Sequence, residues 1–303
     1  MKPALKDRKS VMKPNVLVTG GAGYIGSHVC KALYEAGFTP VVLDNLSNGY
    51  RAAVKWGPFE FGDVRRSADV ASAMQKYNFH AVVHFAGLIE VGESISNASA
   101  FWETNVFGTY NILEELRKQK QCKFVFSSTC AVYKETTENL DESNIIKPNS
   151  PYASTKAAAE LLLSDYQVSY GVQSTILRYF NAAGADQGGE LGECHKPESH
   201  LIPIACEAAL GKRQYLSIYG DDYPTMDGTC IRDYVHVSDL AEAHVLALKR
   251  MQYNNDNRIY NLGSGRGFSV KEVIETVKQV SGREFEVRIE SRRPGDSLKL
   301  VSK

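Results

Sequence analysis

The chain has 303 residues, enough to bury one large core or two smaller ones. Its 35 Lys and Arg residues balance its 35 Asp and Glu residues, so the formal net charge is zero and no basic field favours nucleic acid or an anionic membrane. The six cysteines form no C-x-x-C pair, which is typical of reduced thiols in a cytoplasmic protein.

The first residues are basic and polar, without the apolar centre of a secretory signal. A second methionine, Met12, precedes the first apolar run, so we expect residues 1–13 to form a flexible N-terminal extension. No apolar run approaches the ~20 residues that cross a bilayer. We therefore expect a soluble, cytoplasmic protein.

The stretch 15–28 predicts a buried strand, a glycine-rich loop and the start of an amphipathic helix. Gly21, Gly23 and Gly26 fit the G-x-G-x-x-G spacing, while Gly20, Gly23 and Gly26 fit a G-x-x-G-x-x-G variant. Glycines allow the backbone to turn tightly and approach a pyrophosphate, which free N–H groups and the helix dipole then hold. The pattern indicates a dinucleotide site.

Two later strands each end in a carboxylate. The apolar run 40–43 ends in Asp44, where a dinucleotide fold places the acceptor for the adenosine ribose hydroxyls. A carboxylate there would repel a 2′-phosphate, so NAD is favoured over NADP. A third strand, 59–64, contains Asp63, which either hydrogen-bonds the adenine amine or caps the predicted helix 67–77.

A fourth strand over 80–84 opens into a glycine-containing loop that ends at Gly87. His84 lies inside its apolar run, so we interpret it as a core histidine and not as a catalytic or metal-binding one. The apolar spacing over 100–118 then predicts a helix, in which Asn105 is a polar interruption.

The clearest chemical pattern is Tyr152 with Lys156, four residues apart on a helix that Pro151 opens, so both side chains face the same site. A nearby ammonium favours phenolate, so we expect Lys156 to lower the pKa of Tyr152 and to let it exchange a proton with a substrate hydroxyl. Thr129 ends the fifth strand, 123–129, and is placed to hydrogen-bond the same hydroxyl.

The pattern changes after a sixth strand over 172–178. A polar, glycine-rich stretch over 184–200 precedes shorter helices and strands, which predict a lobe over the cofactor face. Cys194, His195 and His200 lack a convincing fourth ligand at this spacing, so we expect no metal. The fold class is α/β: a Rossmann-type, doubly wound parallel sheet over 14–181, with a smaller α/β substrate lobe over 182–303.

The chain resembles the extended short-chain dehydrogenase/reductases, and within them the UDP-glucose 4-epimerases, from about Asn15 to Asp296. The most specific stretch is 219–240, which contains Tyr-Gly-Asp-Asp-Tyr-Pro-Thr and Asp-Gly-Thr-Cys-Ile-Arg-Asp-Tyr-Val-His-Val-Ser-Asp-Leu. Other shared motifs are Leu-Asp-Asn-Leu46, His-Phe-Ala-Gly87, Asn-Val-Phe-Gly-Thr109, Ser-Ser-Thr129, Leu-Arg-Tyr-Phe-Asn181, His-Leu-Ile-Pro203 and Arg-Arg-Pro-Gly-Asp296.

The resemblance implies interconversion of UDP-glucose and UDP-galactose in galactose metabolism, through a 4-keto sugar and with NAD as cofactor. The implied catalytic residues are Tyr152, Lys156 and Thr129. The implied cofactor contacts are Gly20, Gly23, Tyr24, Ile25, Gly26, Asp44, Asn45, Asp63, Val64, Phe85, Ala86, Gly87, Asn105, Thr129, Tyr152, Lys156 and Phe180. The implied contacts to uridine and pyrophosphate are Asn181, His200, Leu201, Tyr215, Arg232, Arg293 and Asp296.

Guanidinium groups at Arg232 and Arg293 suit phosphate binding, although Arg232 could instead form a surface ion pair with Asp233. The resemblance also implies a homodimer, through the helices near 100–118 and 153–170, and no nucleic-acid or membrane partner.

The chain departs from the family pattern at several positions. Lys134 replaces a usual glycine, Ile89 replaces a lysine near the cofactor phosphates in some relatives, and relatives commonly continue for roughly 35 residues beyond Lys303. The last difference makes the lobe look truncated. Leu300 stands where some relatives carry a tyrosine that excludes N-acetylated sugars, so we hypothesise tolerance for UDP-N-acetylhexosamines.

Three other functions compete with this one. A nucleotide-sugar dehydratase needs an Asp-Glu pair just after the hydroxyl position, but Cys130 and Ala131 follow Thr129. An epimerase for UDP-xylose or UDP-glucuronate differs only in pocket shape. A catalytically impaired NAD-binding protein is disfavoured because Tyr152, Lys156 and Thr129 are all present.

Overall fold

The computed structural model describes residues 13–119, 123–293 and 295–303. Most of the predicted N-terminal extension, and Cys122, lie outside these residues. Within them, no helix is both long and apolar enough to span a membrane.

The larger of the sheets has seven parallel strands. Its strands, in spatial order, are β10 (Arg258–Leu262), β6 (Gln173–Tyr179), β5 (Lys123–Thr129), β4 (Phe79–His84), β1 (Asn15–Thr19), β2 (Thr39–Asp44) and β3 (Phe59–Phe61). The strand order reverses between β1 and β4, the switch point at which open α/β sheets bind ligands beyond the carboxyl ends of their strands. This arrangement confirms the predicted fold class.

Helices cover both faces of this sheet, and each face has its own apolar core. One core includes Leu17 and Phe124, and the other includes Val16 and Val18, so alternate residues of one strand point to opposite layers. The helices are α1 (Tyr24–Glu35), α2 (Ser67–Lys76), α3 (Val91–Ser96), α4 (Ala98–Phe101), α5 (Gly108–Leu116), α6 (Pro151–Tyr170), α7 (Leu201–Ala209), α8 (Val237–Arg250) and α9 (Val270–Ser281).

The predicted helix over 100–118 is interrupted. Residues Trp102–Phe107 form a π-helical turn between α4 and α5, a widening of the helix that is often found at functional sites. The buried Asn105 lies in this turn, so the polar interruption in the sequence marks the place where the helix changes form.

The region predicted as the substrate lobe contains two small sheets. In one, β9 (Ile231–His236) pairs with β7 (Asn181–Ala183), β11 (Gly267–Ser269) and β13 (Lys299–Leu300). In the other, β8 (Tyr215–Tyr219) pairs with β12 (Glu286–Glu290), and α7 and α9 pack against it around an apolar cluster that includes Leu216 and Ile274.

The predicted division at 181/182 does not separate two continuous units. Helix α8 packs against α1, and β10 extends the large sheet beside β6. Residues 237–262 therefore return to the first layer before the chain re-enters the lobe. The sequence did not predict this, because the pattern of an amphipathic helix or a short strand does not indicate which sheet it joins.

Candidate active site

The glycine-rich loop lies between β1 and α1, beside the end of β4. Gly20 has φ +70°, and a Cβ there would lie 2.6 Å from the amide nitrogen of Ala86. A Cβ at Gly26 would collide with the carbonyl oxygen of Gly20. Gly20 is thus required by its left-handed backbone and by its close approach to Ala86, and Gly26 is required by its close approach to Gly20. Of the two predicted glycine patterns, only G-x-x-G-x-x-G includes both residues.

The loop is shaped to bind an anion at the start of α1. Gly23 is the N-cap and has no side chain to cap the helix, so the amide groups of the first turn are left for a ligand. The Asp44 carboxylate stands next to this loop, accepting hydrogen bonds from the amides of Ala22 (3.0 Å) and Leu46 (2.8 Å). These two bonds leave further carboxylate lone pairs for ribose hydroxyls, so the residues fit a dinucleotide.

Asp63 lies near Asp44, at the same edge of the sheet. Its carboxylate accepts from Asn45 Nδ2 at 2.9 Å and pairs with Arg65, which holds its pKa well below the usual range. Arg66, not Asp63, is the N-cap of α2, so the capping alternative is wrong. Val64, in contrast, packs its side chain into the core against Gly108, which leaves only its backbone for a ligand.

Asn105 fixes the loop that follows β4. Its side chain accepts from the amide of Leu88 (2.8 Å) and donates to the Leu88 carbonyl (3.0 Å) and to Thr155 Oγ1 (3.0 Å). A Cβ on Gly87 would lie 2.9 Å from Asn105 Oδ1 and 3.6 Å from Lys156 Nζ. The π-helical turn thus ties the predicted cofactor loop to the helix that carries the catalytic pair.

His84 is a core histidine, as the sequence predicts. Its Nδ1 lies 2.6 Å from Thr19 Oγ1 and its Nε2 lies 3.0 Å from Thr109 Oγ1. Burial lowers its pKa to about 3, so the ring is neutral. It joins β1, β4 and α5 directly beneath the glycine-rich loop.

The Tyr152 phenol and the Thr129 hydroxyl lie close together at the end of β5, near enough for Thr129 to act on the pKa of Tyr152. Ser150 caps α6 by accepting from the amide of Ala153, and Pro151 occupies the first turn, which sets the start of the helix five residues before Lys156. Burial raises the pKa of Tyr152 to about 12, because it outweighs the effect of the Thr129 hydrogen bond. The predicted lowering of this pKa by Lys156 is therefore not found.

Lys156 is buried, and its Nζ donates to the carbonyl of Ser127 at 2.9 Å and lies 5.0 Å from the centre of the Phe126 ring. Burial lowers its pKa to about 8, while Glu160 acts to raise it. The two pKa values move in the directions that burial dictates: at neutral pH Tyr152 is a neutral phenol, and Lys156 keeps its charge but loses it about two pH units earlier than an exposed lysine.

One turn beyond Lys156, the sequence analysis missed a buried ion pair. Glu160 accepts from Arg178 Nε (3.0 Å) and Nη2 (2.5 Å) and also from Ser128 Oγ. Arg178 Nη1 donates to the Tyr133 hydroxyl at 2.8 Å. The spacing Tyr152, Lys156, Glu160 is the signal that could have found it, since residues four apart share a helix face.

The residues predicted to contact the nucleotide lie on different elements of the C-terminal lobe. Arg232 lies on β9, where Nη1 donates to the Ile231 carbonyl (2.9 Å), and it acts on the pKa of Cys130, beside Thr129. The alternative of an ion pair between Arg232 and Asp233 is wrong. Asp233 is fully buried and accepts instead from Ser264, Gly265 and Ser302.

Arg293 and Asp296 pair with each other, with Nε 3.0 Å from Oδ2, and the Arg293 guanidinium lies 4.5 Å from the centre of the Tyr219 ring. Tyr215 shares the outer face of β8 with Tyr219 and lies beneath Arg288. Tyr219 was not predicted, although the period of two along β8 places it beside Tyr215.

The remaining predicted residues lie around these groups. Tyr24 donates its hydroxyl to the Gly184 carbonyl at 2.6 Å, and Phe85 packs against His244. Phe180 joins an apolar cluster with Cys130 and Leu300, and Asn181 begins β7. Ile25, Ala86 and Leu201 pack against three different apolar clusters.

Comparison with known proteins places this site in context. Residues 16–263 match the model of the NAD dependent epimerase/dehydratase family. The UDP-glucose 4-epimerase of Rhizobium leguminosarum bv. trifolii is 49% identical over 288 residues, which cover 95% of this chain and 88% of that protein.

Two solved structures are similar throughout. One is a UDP-glucose 4-epimerase from Brucella ovis in complex with NAD, with TM-score 0.92, 47% identity and coverage of 96% of this chain and 90% of that one. The other is a UDP-glucose 4-epimerase from Bifidobacterium longum in complex with NAD⁺ and UDP, with TM-score 0.91, 34% identity and coverage of 95% and 90%.

Proposed function

The chain belongs to the NAD-dependent epimerase/dehydratase family, and we propose that it is an NAD-dependent enzyme that interconverts UDP-glucose and UDP-galactose. The observation that carries this proposal is the meeting of Tyr152 and Thr129 at the edge that also holds the glycine-rich loop, Asp44 and Lys156. The relatives named above are UDP-glucose 4-epimerases, and two of their structures contain NAD.

The reaction needs a group that moves a proton at the sugar C4 oxygen in both directions. Tyr152 takes the proton from the 4-hydroxyl, and Thr129 donates a hydrogen bond that orients the same oxygen. Bound NAD would supply the hydride chemistry at C4, and inversion follows because the 4-keto sugar turns its other face towards the cofactor before the hydride is returned. Tyr152 then returns the proton to the oxygen, so the overall reaction has no net redox change.

Lys156 supports this proton transfer by its position. Lys156 does not lower the pKa of Tyr152 in the protein alone; we propose that its ammonium acts during the reaction, by attracting the negative charge that develops on the phenol as the proton moves. Its bond to the Ser127 carbonyl holds it at the end of β5. The nucleotide would be held by Arg232 and Arg293, whose planar guanidinium groups pair with phosphate oxygens, together with Asn181, His200, Leu201, Tyr215 and Asp296.

Purified protein mixed with UDP-galactose tests this function, with UDP-glucose measured by chromatography. We expect conversion in both directions to one equilibrium mixture. Thr129→Val is the variant of choice, since it keeps the side-chain volume and removes the hydroxyl, and should slow conversion at unchanged NAD content. Wild-type protein that contains NAD but converts neither sugar would contradict the proposal.

The range of sugars depends on Leu300. Its side chain packs against the cluster that contains Cys130 and Phe180, next to Thr129, and it is smaller than tyrosine. We therefore propose that UDP-N-acetylglucosamine is also epimerised, and that Leu300→Tyr suppresses this activity more than it suppresses UDP-glucose turnover. Equal suppression of both activities would argue against a role for Leu300 in selecting the sugar.

We also propose a homodimer through the π-helical turn, α5 and α6. Phe107, Leu161 and Val168 are 58%, 65% and 84% exposed on these elements, and large exposed apolar side chains favour association. Light scattering should give twice the chain mass of 33.5 kDa. Leu161→Asp should lower that mass, whereas Val280→Asp, at an exposed valine on α9, should leave it unchanged.

A further inference from the structure

Four side chains converge in the loop before α7: Glu193, His195, Glu198 and His200. One nitrogen or oxygen atom from each lies within 4.8 Å of the others. Sequence reasoning considered Cys194, His195 and His200 and found no fourth ligand. The structure leaves Cys194 exposed and supplies two carboxylates in its place.

The separations within this cluster fit one small cation. His200 Nδ1 lies 2.9 Å from Glu193 Oε1 and 3.2 Å from Glu198 Oε1. His195 Nδ1 lies 3.4 Å from Glu193 Oε1 and 3.6 Å from Glu198 Oε2. Tetrahedral zinc with bonds of about 2.0 Å to N and O ligands separates neighbouring ligand atoms by about 3.3 Å. With Glu198 Oε2 as its ligand atom, the three relevant distances of 2.9, 3.4 and 3.6 Å bracket that value, and the remaining pairs lie within 4.8 Å.

The cluster also contains an unsatisfied polar atom. His195 Nδ1 is buried without a hydrogen-bond partner among the described residues, although it faces both carboxylates. The side chains of Glu193 and Glu198 are 9% and 5% exposed, and Glu198 Oε1 already accepts from the amides of Ser199 and His200, which leaves Oε2 free. Two buried carboxylates are stable only with a positive charge beside them. His200 Nδ1, 2.9 Å from Glu193 and 3.2 Å from Glu198, can supply it with a proton, and a bound cation would replace that proton and also give His195 Nδ1 a partner.

We propose that Glu193, His195, Glu198 and His200 bind a single zinc ion as a structural site. Two imidazoles and two carboxylates are ligands that zinc accepts in tetrahedral geometry. All four positions are filled by the protein, so the ion has no open position for substrate. This site is separate from the proton transfer at Tyr152 and goes beyond the epimerase function. His200, which we also propose as a nucleotide contact, would bind zinc through its ring Nδ1 and contact the nucleotide through other atoms.

The location indicates what the ion would hold together. The loop contacts α1 through Lys31, which pairs with Asp186 and Glu190 at 2.8 Å each, and the Tyr24 ring lies 6.5 Å from the His195 ring. His200 is the N-cap residue of α7. A zinc ion would therefore fasten the start of α7 to the loop that lies over Tyr24, at the junction of the glycine-rich loop and the substrate lobe.

Metal analysis of protein purified without chelators tests the site, followed by zinc titration of chelator-treated protein against a chromophoric competitor. We expect one zinc per chain. His195→Gln and Glu193→Gln should each weaken zinc binding at least tenfold, because even outer-shell partners of metal ligands commonly contribute 10–100-fold. Cys194→Ser, at the exposed thiol of the same loop, is the matched control and should bind zinc as the wild type does.

Thermal unfolding gives a second readout that is independent of catalysis. Added zinc should raise the Tm of wild type and of Cys194→Ser, since a ligand that binds only the folded state stabilises it, and should not raise the Tm of His195→Gln. The proposal is overturned if wild type binds no zinc in competition, or if both ligand variants bind it with wild-type affinity. If His195→Gln fails to fold, Glu193→Gln decides.

Discussion

Replacing Glu160 with alanine should destabilise the protein strongly, because it leaves the Arg178 guanidinium buried without its carboxylate. The two side chains are 8% and 4% exposed. Removing one partner of such a buried pair costs about 3–5 kcal/mol. Arg178 keeps its bond to the Tyr133 hydroxyl, which places the expected loss towards the lower end. At roughly 2 °C per kcal/mol for a chain of this size, the Tm should fall by about 6–8 °C.

Differential scanning fluorimetry of three proteins tests this reasoning. Glu286→Ala, which breaks an exposed pair with Arg288, should leave the Tm unchanged, because exposed ion pairs contribute little. The double variant Glu160→Leu with Arg178→Met removes both charges and should recover most of the loss, since apolar side chains of similar volume replace buried pairs well. A Tm fall below about 2 °C in Glu160→Ala, or a double variant as unstable as the single one, would refute the argument.

Three further outcomes are expected. Tyr152→Phe should lower the epimerisation rate by about 10²–10⁴-fold, the usual contribution of a positioned acid or base, at unchanged NAD content by chromatography; a rate within threefold of wild type would exclude Tyr152 as the proton carrier. Lys156, with its pKa of about 8, is charged below that pH and loses its proton as the pH rises, so the epimerisation rate should decline above pH 8. In Glu160→Gln the decline should begin at lower pH, because Glu160 raises the pKa of Lys156. A decline at the same pH in both proteins would show that another group causes it. Asn105→Ala leaves the half-buried Leu88 amide without its acceptor, which costs about 1–3 kcal/mol when water does not replace it, so NAD binding measured by calorimetry should weaken about tenfold; unchanged affinity would show that the loop keeps its shape without Asn105.

The sequence predicted the parts of the fold and site that depend on local order. Strand periodicity predicted the parallel sheet, the glycine spacing predicted the tight turn between β1 and α1, and the spacing of Tyr152 and Lys156 predicted their place on one helix. The roles of these residues in NAD binding and catalysis stay predictions. Each of these signals lies within one element and its connecting loop, so no knowledge of distant contacts was needed.

The missed features depend on contacts between distant parts of the chain. Asp233 lies next to Arg232 in sequence, but its carboxylate bonds to Ser264, Gly265 and Ser302, which only the folded lobe brings to it. The pKa of Tyr152 followed burial and not the neighbouring ammonium, and burial cannot be read from spacing. The glutamates around His195 were overlooked because carboxylates are common in surface loops and their orientation is set by the tertiary fold.

The return of residues 237–262 to the large sheet has a mechanical consequence. The backbone crosses between the large sheet and the lobe near residues 181, 237 and 262. Three covalent connections therefore join the lobe to the sheet. A swing of the lobe about a single hinge would strain all three connections at once. We therefore expect entry and exit of a nucleotide sugar to depend on local movement of loops and side chains and not on a swing of the whole lobe.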